Sequence, residues 1–174
     1  MSIEAEINSL CKAGRLHRLI PSWPGLPEKR TFYASKDVKN LVLGHKLGSK
    51  ALENRAYGLR AEIDWFIDGG RIFVRPDFTD GDGWMARLEP PGDEVWELRS
   101  LKPKPSLRVF GSIVRRDMFV ALTWALRKDL GFKISEEWKE AVKQFKAEWQ
   151  SYFGTLEPMT GSYPDDYLSK AKLI

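Results

Sequence analysis

Residues 94–130 read EVWELRSLKPKPSLRVFGSIVRRDMFVALTWALRKDL, and their reading decides the fold. β-branched and aromatic residues crowd into 95–100, 107–114 and 117–126, as strands favour. Turn formers separate these runs: the loop from Lys102 through Pro103, Lys104 and Pro105, and the Arg115-Arg116-Asp117 corner. Consecutive strands are therefore expected to be joined directly and to pair antiparallel. Strand alternation places Val95, Glu97 and Arg99 on one face and Trp96 and Leu98 on the other. That predicts a charged pair facing solvent or substrate and an aromatic facing the core. The stretch holds eight Lys or Arg against four Asp or Glu, while the remainder is balanced, so it carries the whole net charge of +4. A basic field confined to one segment favours a polyanionic partner there, nucleic acid above all, the plainer reading being a solvated surface.

Working outward, 71–74 and 84–88 read as two further strands, with turn signals at 79–83 and 90–92. Arg30 to Ala34 is a short strand candidate around Phe32 and Tyr33. Ser35 then caps a helix carrying Val38, Leu41, Val42 and His45. Ser49 caps a longer one in which Leu52, Ala56, Leu59, Ile63 and Phe66 recur at helical spacing until Gly69 and Gly70. Together they predict an antiparallel helical hairpin. Before them, Ser2 caps a helix to about Ala13 with Ile3, Ile7, Leu10 and Cys11 on one stripe. Residues 15–28, with Pro21, Pro24, Pro27 and Gly25, read as a linker wrapping the surface. After the strands, Ser135 opens a helix whose Trp138, Val142, Phe145, Trp149 and Tyr152 form a core-packing stripe. The tail beyond Gly154 is expected to be extended or partly disordered. The expected class is α+β: an antiparallel meander sheet with an N-terminal helical hairpin packed on one face, plus extra N- and C-terminal helices. The expected divisions fall at 1–29, 30–131 and 132–174.

A chain of 174 residues encloses one core without disulfide or metal staples. Its hydrophobic content of 43% excludes a disordered chain. Cys11 is the single cysteine, and His17 and His45 are the two histidines, too few for a disulfide or a His/Cys metal site within one chain. A reducing, cytoplasmic location is expected. The apolar run 118–122 is too short to span a bilayer, and Glu4 and Glu6 replace the basic start of an export leader. Phosphate-binding glycine loops, a dinucleotide fingerprint and a serine-hydrolase elbow are absent. Gly81-Asp82-Gly83 reads as a tight turn. Asp77, Asp80 and Asp82 alternate as in a calcium loop but lack the following glutamate, so a solvated tip is the better reading. No metal and no cofactor are expected.

The order strand, helical hairpin, meander, then an aromatic strand with basic residues at its exit resembles RelE/ParE-superfamily domains. Glu97-Leu98-Arg99, Leu107-Arg108-Val109-Phe110, and Phe119-Val120-Ala121-Leu122 with Arg127-Lys128 resemble the succession found in HigB-type members. The match covers about residues 30–130, and its motifs are short. The resemblance implies a toxin-antitoxin endoribonuclease that cuts messenger RNA on the ribosome without a cofactor and is restrained by an antitoxin protein.

In that chemistry a 2′-hydroxyl attacks the adjacent phosphate, which calls for cations on the phosphorane, a base and an acid. Guanidinium forks suit the first task. The resemblance assigns Arg108 and Arg127 as catalytic candidates and strand alternation adds Arg99; base and acid stay unassigned, Glu97 being a candidate base or a structural partner of Arg99. Lys102, Lys104, Arg115, Arg116 and Lys128 are candidate RNA-backbone contacts, and Trp124 a candidate base-stacking platform. Each has a plainer reading: Arg99 paired with Glu97, Arg127 paired with Asp129, Trp124 buried. The chain departs from the family where RelE-type members place lysines, having Val95 and Glu97 there, and no histidine lies in the segment. The competing function is a non-catalytic interaction protein on the same fold, for example a phage-encoded one, that inhibits a host protein through the Ser2 and Ser135 helices. A weaker third is a basic RNA-binding module.

Overall fold

Four serines start four helices. The hydroxyls of Ser2, Ser35, Ser49 and Ser135 accept hydrogen bonds from the backbone N–H of Ala5, Val38, Leu52 and Trp138. Each satisfies a donor that the first helical turn leaves open. The helices are α1 (Ile3–Lys12), α2 (Lys36–Val42), α3 (Lys50–Ile67) and α4 (Glu136–Phe153), with a short α5 (Pro164–Tyr167) after them. The computed structural model describes residues 2–75 and 83–174. The expected turn at 79–83, apart from Gly83, lies outside the described residues, as do Asp77, Asp80 and Asp82.

Among the described residues, eight strands join one mixed sheet: β1 (Leu16–Leu19), β2 (Thr31–Ser35), β3 (Ile72–Arg75), β4 (Met85–Arg87), β5 (Trp96–Ser100), β6 (Leu107–Arg115), β7 (Met118–Leu126) and β8 (Ala171–Leu173). Their spatial order is β1-β2-β7-β6-β5-β4-β3-β8. Strands β4 to β7 pair antiparallel in succession, as do β1 and β2. Strands β2 and β7, β3 and β4, and β3 and β8 pair parallel. The expectation of purely antiparallel pairing is thus corrected. Turn formers in the sequence after β3 do not say which strand becomes its partner or in which direction that strand runs.

Helices cover both faces of the sheet. Val38, Leu41, Leu59, Ile63 and Phe66 of α2 and α3 pack with Trp96, Leu98, Val109 and Phe119 in one core. Ile7 and Leu10 of α1, with Trp138, Phe145 and Trp149 of α4, pack with Val95, Phe110, Val120 and Leu122 in the other. Two-sided burial explains why β6 is an almost unbroken run of buried positions. Between β6 and β7 a register shift falls at Phe110/Gly111. A Cβ on Gly111 would stand 2.4 Å from the Val120 carbonyl oxygen and 2.4 Å from a Phe119 ring carbon, so this close approach of strands admits only glycine.

Two further corrections concern the ends of the chain. Residues 15–28 are not all linker: Leu16 and Leu19 are buried in β1, because the prolines that forbid regular structure begin only at Pro21. The tail beyond Gly154 is ordered through α5 and β8. Tyr167 and Leu168 are each 1% exposed, and the tail therefore contributes to the core instead of trailing from it. Arg30 locks the arrangement, its guanidinium donating to Asp117, to the Phe66 carbonyl and to the Ser169 carbonyl. Among the described residues, no helix is long and apolar enough to cross a membrane.

Candidate functional site

The charged residues of the basic segment separate into a buried cluster and an exposed end. Glu97 of β5 lies opposite Phe110 of β6, and Arg99 lies opposite Arg108, so all four share the face covered by α4. Arg99 Nε donates to Glu97 Oε1 at 2.7 Å, and Lys133 Nζ donates to the same oxygen at 3.0 Å. Arg108 Nε stands 3.2 Å from Glu97 Oε2, while its Nη1 donates to the Leu107 carbonyl at 3.0 Å. Glu97 is 0% exposed, Arg99 2%, Arg108 4% and Lys133 9%.

These values correct the expectation that Glu97 and Arg99 face solvent or substrate. Alternation did place them opposite Trp96 and Leu98, but that second face has a roof of its own. The segment leading into α4 supplies Lys133, and the first turn of α4 supplies Trp138. The Trp138 ring packs edge-on against Phe110 with centroids 6.1 Å apart. It carries the Lys133 ammonium 5.4 Å and the Arg127 guanidinium 5.7 Å from its centroid, distances at which the ring quadrupole attracts a cation.

Arg127 is half-buried and donates to the Gly131 carbonyl at 2.6 Å, holding the turn that carries Lys133 into place. Beside it the sheet presents an exposed basic end. Lys102, Lys104 and Lys128 are exposed, Lys104 Nζ donates to Ser106 Oγ at 2.8 Å, and the Arg127 backbone N–H bonds the Ser106 carbonyl. Lys104, Arg127 and Lys128 line a cleft of ≈ 430 Å³ with Pro105 and Ser106.

The remaining candidates lie elsewhere. Arg115 and Arg116 are exposed at the opposite end of β6 and β7, about 25 Å from Leu107 by strand rise, so one short RNA contact cannot unite them with Lys102 and Lys104. Trp124 is half-buried and packs into the α2/α3 core, on the face away from Arg108. The expected docking stripes of α1 and α4 are likewise spent on the sheet.

Comparison of the chain with family models, with curated proteins and with solved structures returns no match.

Lys133 was missed by sequence reading, and no local signal marks it, since a lone lysine before a helix cap reads as surface. A second buried network was also missed. Tyr167 donates to Glu94 Oε1 at 2.6 Å, Arg87 Nη1 donates to the Tyr167 hydroxyl at 3.2 Å, and Trp96 Nε1 donates to Glu94 Oε2 at 3.3 Å. Burial, and then the Glu94 hydrogen bond and charge, push the Tyr167 phenol up to about 12. On α3, Arg55 donates to Glu62 at 3.0 Å, and the other Glu62 oxygen accepts from Ser100 and Trp84. Both networks join helices or tail to β5, so this strand is the mechanical centre of the molecule.

Proposed function

We propose that the chain is a RelE/ParE-type domain that works as a non-catalytic interaction protein, inhibiting a protein partner. The observation that carries this reading is the burial of Glu97, Arg99 and Arg108 beneath Lys133 and Trp138. A phosphorane needs guanidinium groups that can reach it, and the Arg99 and Arg108 guanidiniums are engaged within the fold. Support for the RelE/ParE assignment is the succession of β2, the helices α2 and α3, and the antiparallel β5, β6 and β7 ending at Arg127-Lys128. Exposed apolar groups available to a partner include Phe132 and Ile134, at 83% and 76% exposure, on either side of Lys133.

The second reading, a ribosome-dependent endoribonuclease held by an antitoxin, is favoured by the exposed basic end formed by Lys102, Lys104, Arg127 and Lys128. It requires residues 131–138 to lift from the sheet before RNA reaches Arg99 and Arg108. Incubating the purified chain with translating ribosomes and mapping transcript ends separates the two. The interaction reading expects intact transcripts and affinity capture of one defined polypeptide. Cleavage that disappears in a Lys102→Ala/Lys128→Ala variant of unchanged thermal stability overturns it.

A further inference from the structure

A pocket of ≈ 620 Å³ lies between α4 and the connection from β4 to β5, next to the buried ion cluster, whose Lys133 contributes to its wall. Its volume falls in the range of small-molecule sites. Trp138 and Val142, one helical turn apart on α4, form its floor, with Pro90 and Ile134 beside them. Lys139 and Lys143, again one turn apart, stand along its rim. Their ammonium groups contact Glu136 at 2.8 Å and Glu140 at 3.6 Å, partners whose side chains are 87% and 71% exposed. Pairs so open to solvent hold their lysines weakly and yield readily to a better-placed anion. Lys146 and Asp93 pair at 2.8 Å and Lys133 is held by Glu97, so Lys139 and Lys143 are the cations that outweigh the exposed Glu89 carboxylate in the lining of an otherwise apolar hollow.

From this juxtaposition we infer that the pocket binds an anionic amphiphile, a carboxylate or sulfonate on an apolar chain or ring. The body lies on Trp138 and Val142, and the head group sits between Lys139 and Lys143. Apolar contact supplies most of the affinity, and the two lysines select an anion over a neutral molecule of the same length. This inference is independent of whether the chain inhibits a protein or cleaves RNA.

Titration of the full chain with anilinonaphthalene sulfonate, followed by displacement with decanoate and with decanol, tests it. Saturable binding is expected, with decanoate displacing the dye and decanol displacing it about five- to tenfold less well. A Lys139→Gln/Lys143→Gln variant should lose that preference while binding decanol as before. Val142→Trp, which fills the floor, should abolish binding of both, with unchanged far-UV circular dichroism and a cooperative thermal transition showing that each variant keeps its fold. The inference is overturned by absence of saturable binding, by equal displacement by decanol, or by retention of the preference in the lysine variant. It is equally overturned if an acidic amphipathic peptide displaces the dye and decanoate does not.

Discussion

Glu97 is one carboxylate shared by three buried cations, Arg99, Arg108 and Lys133. Removing its charge costs far more than an exposed ion pair is worth, because the cations stay in a poorly solvating interior. Glu97→Gln is expected to lower unfolding free energy by about 3–5 kcal/mol in urea titrations. The combined change Glu97→Leu, Arg99→Met, Arg108→Met, Lys133→Met should cost less than that single substitution, since it removes the carboxylate and its three cations together. Equal or greater loss in the quadruple variant would show that the ions stabilise the fold outright. Tyr167 gives a second test, through pH. Its folded phenol titrates near 12, above the ordinary value of 10.0. The stability it contributes is therefore complete below pH 10 and drains away between pH 10 and about 12, where the unfolded chain releases a proton that the folded chain retains. Thermal scans across that window should fall more steeply for the wild-type chain than for Tyr167→Phe, and parallel slopes would refute the assignment.

Among the elements, the β6–β7 pair depends on Gly111 at its register shift. Gly111→Ala drives a methyl group against backbone, which cannot swing aside as a flexible side chain does, and a loss of about 1–3 kcal/mol is expected in chemical denaturation. A neutral result would mean the strands separate there at little cost. The helices were legible in the residues themselves because each begins with a local device: Ser2, Ser35, Ser49 and Ser135 all cap as their sequence context implied. The strands around Trp96, Val109 and Val120 were legible too, from β-branched and aromatic density. Partner choice was not. That β3 pairs parallel with both β4 and β8 depends on contacts remote in sequence, and no residue within Ile72–Arg75 encodes them. Strand β1 escaped notice because four residues before a proline-rich stretch carry too short a pattern to read.

For the whole molecule, the candidate site was half legible. Alternation put Glu97 and Arg99 on one face correctly, yet their burial depends on how α4 docks, and amphipathicity names a helix face without naming what that face covers. The same apolar stripe that identified α4 as structural also closed the surface on which the arginines were expected to act. Packing on both faces thus converts a basic sheet into a core with charges inside, leaving exposed lysines at its end and on the outer side of α4.

Arg30 joins positions separated by 87 residues from Asp117 and 139 from Ser169. Contacts so remote cost loop entropy to close, as does the β2–β7 ladder at the same separation of 87 residues, and the still more remote contact to Ser169 is expected to close after it. Arg30→Met should accordingly speed unfolding in stopped-flow experiments while leaving the refolding rate nearly unchanged. The guanidinium is then expected to govern how long the native state lasts before it opens, as the clasp between the sheet and the last residues of the chain.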